Sequence, residues 1–102
     1  MENSKMGEMI EKILTVLRAR GDVRSSADFS REWLGREESY VRSLRAKARP
    51  ASAQVLATCA SRLLERGDAL SGSQYGSVKK HGMELQQLAQ ECIQTLILEA
   101  RR

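Results

Sequence analysis

The chain has 102 residues, a length that suits one domain with one modest core. Hydrophobic residues make up 41% of the chain, which excludes a compositionally disordered protein, and aromatic residues make up 4%, which predicts an aliphatic core. The net charge of +4 favours an anionic partner, although it is also ordinary for a small soluble domain. No stretch approaches the roughly 18 apolar residues that span a bilayer, and charges interrupt the N-terminal region, so we expect a cytoplasmic protein with no membrane partner.

The first predicted helix runs from about residue 4 to 20 and ends at Gly21. Its apolar residues recur at spacings of three and four and therefore share one face: Met6, Met9, Ile10, Ile13, Leu14 and Leu17. The second predicted helix begins at Ser25 and Ser26, where the Ser-x-x-Asp spacing is typical of an N-cap, and it ends at Gly35. Its apolar residues are Ala27, Phe29, Trp33 and Leu34. The spacing of four between Phe29 and Trp33 favours core packing over base stacking.

The third predicted helix spans about residues 37 to 48 and stops before Pro50. Its inward side should be a half-buried Tyr40 with Val41, Leu44 and Ala48. The fourth predicted helix begins near Ser52, a good N-cap, and ends at Gly67. It carries a regular apolar stripe of Val55, Leu56, Cys59, Ala60, Leu63 and Leu64.

The segment "LSGSQYGS", residues 70–77, is rich in serine and glycine and is predicted to be a linker. A fifth helix should follow over about residues 78–100, lined by Met83, Leu85, Leu88, Cys92, Ile93, Leu96 and Ile97. Two roles stay open for this helix: packing on its own domain, or forming a dimer interface through Leu85, Leu88, Cys92 and Leu96. Cys59 and Cys92 are predicted to be buried free thiols, with a disulfide as the less favoured alternative.

The pattern as a whole predicts an all-α fold, a compact bundle of about five helices. It contains a helix-turn-helix unit over residues 1–69, the linker 70–77 and a long amphipathic C-terminal helix over 78–102, all within a single domain. In a helix-turn-helix unit, the first helix supports a second one that can enter the major groove of DNA. Gly35 would supply the turn between them, while Val41 and Leu44 would point back into the core.

Residues 15 to 66 resemble the repressor-type helix-turn-helix domains of phage repressors and xenobiotic-response-element regulators. The resemblance rests on three pieces in chain order: "LRARGDVRSSADFSREWLG", "REESYVRSLRAKARP" and "SAQVLATCASRLLER". It covers about half of the chain, in the order of a basic helix end, a scaffold helix with its glycine, a recognition helix, and a helix rich in leucine and alanine. The resemblance implies a sequence-specific DNA-binding transcriptional regulator, acting as a homodimer and usually as a repressor.

By position in that family, base-edge contacts would come from Glu38, Ser39, Arg42 and Ser43. Phosphate contacts would come from Ser26, Arg45, Lys47 and Arg49, and Arg36 belongs to the same DNA-binding set. Arg42 is the sharpest of these predictions, because an arginine can bond guanine O6 and N7 together. Residues 36–50 carry five cations and two acids, which agrees with a DNA-facing segment but is also common on a solvated helix face.

Other chemistry has little support in the sequence. His81 has no second histidine or cysteine at metal-ligand spacing, so it is predicted to be a surface residue and no metal site is expected. Neither a glycine-rich phosphate loop nor a nucleophile paired with a base is visible. We therefore expect neither an enzyme nor a cofactor.

A second hypothesis comes from a different class of protein. The chain could be a protein-binding adaptor or inhibitor that keeps a helix-turn-helix scaffold without reading DNA. Glu37 and Glu38 favour it, since acids at the start of the third helix would face phosphates unfavourably, and the amphipathic fifth helix offers a surface for a protein partner. Salt dependence of DNA binding separates the two hypotheses.

Overall fold

The computed structural model describes residues 5–47 and 51–101. Within them the chain forms five α-helices and no strand, which confirms the all-α prediction. The helices are α1 (Lys5–Arg20), α2 (Ser26–Glu32), α3 (Tyr40–Lys47), α4 (Ala53–Ser71) and α5 (Gly76–Ala100). No helix in this described part is long and apolar enough to cross a membrane.

Helices α4 and α5 form an antiparallel pair with the most extensive interface of the molecule, and α1 packs across them. The pairing of α1 with α5 is also antiparallel, because Lys12 forms an ion pair with Glu91 while Arg20 forms one with Glu84. The predicted apolar face of α1 is buried from Met9 to Leu17, with Ile13 and Leu17 fully inaccessible to solvent, while Met6 is only partly buried. Burial of these aliphatic side chains is the main stabilising contribution to the fold.

The axes of α4 and α5 approach closely at two glycines. A Cβ atom built on Gly67 would lie 2.9 Å from the carbonyl oxygen of Gly82, and one built on Gly82 would lie 2.7 Å from that of Gly67. Real Cβ atoms do not tolerate such distances to backbone, so the crossing depends on the absence of side chains at both positions. Gln86 closes this side of the crossing by donating to the Asp68 carboxylate at 2.8 Å.

Helices α2 and α3 sit against this three-helix core through aromatic and aliphatic side chains. Phe29 is fully buried, Trp33 is 5% exposed and Tyr40 is 9% exposed. Core packing of Phe29 and Trp33 is therefore confirmed, and Tyr40 is more deeply buried than the half-buried position predicted for it. Both predicted serine caps are present: Ser25 accepts from the Asp28 amide at 3.2 Å and Ser52 from the Val55 amide at 3.1 Å.

Four predicted helix boundaries are wrong. Helix α2 ends at Glu32, with Trp33 as its C-cap, rather than at Gly35. Helix α4 does not end at Gly67 but continues to Ser71, because close packing on α5 compensates for a glycine inside the helix. Since α5 already begins at Gly76, the connection comprises only residues 72–75 instead of the predicted linker 70–77. Helix α3 begins at Tyr40 rather than at residue 37. The predicted inward Ala48 and the stop at Pro50 lie outside the described residues.

The predicted apolar lining of α5 is correct along one face and wrong along another. Leu85, Leu88 and Cys92 are buried, whereas Met83 is 55% exposed and Ile97 is 41% exposed. The reason is geometric, since α5 packs against α4 on one side and α1 on the next, which leaves its third side open to solvent. Leu98 and Tyr75 add two more exposed apolar side chains at or near this helix.

Candidate nucleic-acid interface

The connection between α2 and α3 is longer than a minimal helix-turn-helix joint and is held by one buried serine. Ser30 is fully inaccessible to solvent. Its hydroxyl donates to the Ser26 carbonyl at 2.8 Å and accepts from the Val41 amide at 3.2 Å. The Ser30 carbonyl also accepts from the Arg36 amide at 2.9 Å. Ser30 therefore ties the middle of α2 both to the connection and to the first turn of α3.

Gly35 forms the bend in this connection, as predicted. Its φ of +66° is in the left-handed region that favours glycine. An added Cβ would lie 3.2 Å from a guanidinium nitrogen of Arg62, which leaves little room for a side chain. The chain then makes a turn, with the Tyr40 amide donating to the Glu37 carbonyl at 3.0 Å. This turn explains why α3 begins three residues later than predicted.

Arg62 anchors the C-terminal end of α2 from α4. Its Nη1 donates to the carbonyl of Glu32 at 2.6 Å and to that of Arg31 at 3.3 Å. The last carbonyls of a helix have no partner within the helix and carry its partial negative charge, so a guanidinium there is doubly favourable. Arg62 thus fixes α2, and with it the start of the connection to α3, to the central helix pair.

The two sides of α3 differ in the way the sequence predicts. Tyr40 and Val41 are buried, and Leu44 is half-buried against the core. The opposite side presents Ser39, Arg42, Ser43, Ala46 and Lys47. Arg42 and Lys47 are exposed, and within the described part of the chain neither forms an ion pair. Their charges are therefore available to an external anion.

Two other predicted DNA-binding residues are engaged in ion pairs within the chain. Arg45 forms a two-point contact with Glu11 of α1, from Nε to Oε2 at 2.8 Å and from Nη2 to Oε1 at 2.6 Å. Hydrogen bonding to Arg45 holds the pKa of Glu11 below its ordinary value despite partial burial. Glu38 accepts from Arg31 at 2.6 Å, so part of the unfavourable acidic charge near α3 is neutralised locally.

The remaining predicted positions are more varied. The Arg36 guanidinium lies over the Tyr40 ring, 5.1 Å from its centroid, at a distance typical of a cation–π contact. Ser26 is the first residue of α2 and is half-buried, while the capping role belongs to Ser25. Arg49 lies outside the described residues. The predicted surface therefore consists of Ser39, Arg42, Ser43 and Lys47, with Arg36, Glu38 and Arg45 at its margins in contacts within the chain.

The residues predicted as a dimer interface are placed mainly inside one chain. Leu85 is 1% exposed, Leu88 is 5% exposed and Cys92 is inaccessible, while Leu96 is partly buried against the same core. This arrangement corresponds to the self-packing alternative for α5. A contact between two copies that used α5 would have to use its open side, where Met83, Ile97 and Leu98 are exposed.

A polar cleft of about 670 Å³ lies behind α2, lined by Asp22, Glu32, Trp33, Arg62, Glu65, Arg66 and Ala69. Its three acids and two arginines give it no dominant charge. At its edge, His81 Nε2 lies 3.1 Å from Asp22 Oδ1, so His81 is a partly buried partner of the α1–α2 connection rather than the surface residue predicted. No group of three potential metal ligands occurs within residues 5–47 and 51–101.

Ser30 and Arg62 are the site-positioning residues that sequence reasoning missed. Ser30 could have been identified from its position in the sequence, between Phe29 and the Trp33–Leu34 pair and four residues after Ser26. This position marks a small polar residue on the inward side of a short helix, where a buried hydroxyl needs partners. Arg62 had no such signal, because its acceptors are about 30 positions away in the chain.

Over residues 5–47 and 51–101, the chain is a small bundle of five helices in which α3, with its exposed cations, is held against an aliphatic core. The chain belongs to a family of unknown function, DUF6626, whose model matches residues 10–102. No curated protein and no solved structure matches the chain significantly.

Proposed function

We propose that this protein is a sequence-specific DNA-binding transcriptional regulator, most simply a repressor, that places α3 in the major groove. The observation that carries the proposal is the outward side of α3, where Arg42 is exposed between Ser39 and Ser43 and forms no ion pair with any residue that the structure describes. Ser30 and Arg62 hold the supporting helix at its middle and its C-terminal end. A reading helix needs this combination of free polar side chains and a fixed orientation.

The dimensions of α3 suit this role. Its eight residues give a length of about 12 Å, and a helix with its side chains has a diameter of roughly 10–12 Å. The major groove of B-DNA is about 12 Å wide. Arg42 could bond guanine bidentately, Ser39 and Ser43 could bond a base edge of either type, and Ala46 could contact a thymine methyl group. Lys47 and Arg36 would then lie nearer the phosphates.

A homodimer is part of the proposal, because domains of this kind read two half-sites about one DNA turn apart. The buried positions Leu85, Leu88 and Cys92 leave the open side of α5 as the candidate contact. Sedimentation equilibrium with and without a selected duplex measures the stoichiometry. Two chains per symmetric duplex support this part of the proposal, and one chain per duplex refutes it.

A second candidate function is a protein-binding adaptor or inhibitor. The ion pairs Arg45–Glu11 and Arg31–Glu38 favour it, because they neutralise charges that a DNA-binding surface would use. The exposed apolar side chains Met83, Ile97 and Leu98 on α5 also favour it, since such side chains are common at protein interfaces.

The test is selection from a library of random duplexes at moderate salt, with wild type, Arg42→Ala and a control that removes one charge from another helix, Lys79→Ala. A DNA-reading protein enriches a motif, retains it in Lys79→Ala, and loses or relaxes it in Arg42→Ala. Bidentate recognition of guanine is worth about 1–3 kcal/mol, so affinity for the enriched site should fall about 5- to 150-fold.

Salt titration of the same complexes gives an independent measure. Each phosphate that the protein neutralises contributes about 0.9 to the log–log slope of affinity against salt. A repressor should therefore lose affinity steeply, with a slope that corresponds to several phosphates. If no motif is enriched, and binding to random duplexes is equally weak for all three proteins, the DNA-binding proposal fails and the adaptor candidate remains.

A further inference from the structure

Two cysteines face each other across the interface of α4 and α5. Cys59 and Cys92 are both free thiols and both inaccessible to solvent. They belong to the aliphatic core and not to the outward side of α3. The proposed function uses neither of them.

The antiparallel register of the two helices accounts for their pairing. Gly67 lies against Gly82, and Gln86 bonds to Asp68. Eight residues before Gly67 on α4 is Cys59, and ten residues after Gly82 on α5 is Cys92, so the same register continues to the two thiols. Hydrogen bonding to the Cys92 thiol, together with burial, raises the pKa of the Cys59 thiol above its ordinary range. At neutral pH the Cys59 thiol is therefore protonated.

We propose that Cys59 and Cys92 form a redox-convertible pair that a low-molecular-weight disulfide, such as oxidised glutathione, closes into an intrachain disulfide bond between α4 and α5. One cysteine thiolate attacks a sulfur of oxidised glutathione, forms a mixed disulfide and releases one reduced glutathione. The second cysteine thiolate then attacks the protein sulfur of the mixed disulfide and releases the other. The two protein thiols lose two electrons and two protons, and oxidised glutathione becomes two molecules of reduced glutathione.

Burial determines the rate of this reaction but not its equilibrium. The thiolate is the attacking species, and a buried, hydrogen-bonded thiol supplies little of it, so closure has to follow local separation of α5 from α4. Once the bond is formed, the fold favours it, because the native packing already brings the two sulfurs together. The bond would reinforce the helix pair from which Arg62 reaches α2.

The experiment measures the effective concentration of the two thiols for each other. Reduced and oxidised protein are equilibrated in glutathione buffers of varied ratio, starting from both sides, and the thiols are then trapped by acid and alkylation for mass spectrometry. In denaturing urea, two cysteines on a flexible chain should show an effective concentration on the order of millimolar. In native buffer we expect a value at least about 100-fold higher.

Two further readouts keep the result unambiguous. The closed form should be lighter than the reduced form by about 2 Da, the mass of the two hydrogens lost in thiol–disulfide exchange. Its Tm should be higher by about 10 °C or more, because the bond closes a loop that spans residues 59–92. Cys59→Ala, if it folds, should form a mixed disulfide with glutathione but no intrachain bond. An effective concentration no higher in native buffer than in urea, or a closed form that unfolds at a lower temperature, overturns the proposal.

Discussion

Substitution of Gly82 by alanine tests the close crossing of α4 and α5. By helix propensity alone, alanine should stabilise an interior helical position by about 1 kcal/mol over glycine. The structure predicts the opposite sign. The new Cβ would lie 2.7 Å from the carbonyl oxygen of Gly67 and 2.8 Å from the carbonyl carbon of Leu70, and these are backbone atoms that cannot move out of the way alone.

Relief of these contacts requires the two helices to move apart along the largest interface of the molecule. Overpacking of a core costs typically about 1–3 kcal/mol, and a clash with backbone belongs at the upper end, so a net loss of about 2 kcal/mol remains after the propensity gain. For a domain of this size, that loss corresponds to a Tm lower by roughly 8–16 °C.

The matched control is Gly76→Ala, at the first residue of the same helix, where an added Cβ meets nothing within 4 Å. The control should be neutral or slightly stabilising. Urea and thermal unfolding can be followed by fluorescence of the single tryptophan, Trp33, which is 5% exposed. If Gly82→Ala is as stable as the control, α4 and α5 do not approach each other as closely at Gly67 and Gly82 as the Cβ distances require.

Three further substitutions test the contacts around α3. Ser30→Ala leaves the buried Val41 amide without its acceptor, so it should lower the free energy of unfolding by about 1–3 kcal/mol, whereas exposed Ser61→Ala should change little in the same urea titration. Gly35→Ala forces a side chain into the left-handed region and should cost about 1–2 kcal/mol by thermal unfolding. The pKa of Glu11 is lower in the folded protein than its ordinary value of 4.5. The ion pair of Glu11 therefore contributes to the free energy of unfolding above pH 4.5, and this contribution is lost as the pH falls through the folded pKa. Because the pair is exposed, Glu11→Gln should flatten the acid side of the stability profile by only a few tenths of a kcal/mol, and an unchanged acid limb would contradict the assignment.

Most of the fold could be predicted from apolar spacing. The stripes of α1 and α4 and the serine caps of α2 and α4 follow from local rules, and the structure contains them. The errors arose where a local signal competed with a distant partner. Gly67 was predicted to end α4 because glycine is common at helix ends, yet it lies inside α4 because α5 packs on it. No property of residues near Gly67 in the sequence indicates this partner.

The candidate surface was predictable in outline for the same reason. Alternation of buried and exposed residues on α3 follows from the positions of Val41 and Leu44, so the outward position of Arg42 could be inferred. The ion pair between Arg45 and Glu11 could not be inferred from the sequence. These residues are 34 positions apart, and their contact depends on how α1 packs relative to α3. A count of cations in the sequence therefore overstates the charge that is free at this surface.

Helix α3 is held by one contact to α2 and one contact to α1, and the two contacts would respond differently to DNA binding. At its first turn, Val41 is bonded to Ser30 of α2, which Arg62 fixes to α4. Near its last turn, Arg45 is bonded to Glu11 of α1. The second contact is exposed and is made by a carboxylate, which presents two oxygens to a guanidinium as a phosphate does. A DNA phosphate could replace Glu11 without disturbing the buried contact at the first turn, so α3 would keep its orientation while Arg45 exchanged an internal partner for an external one.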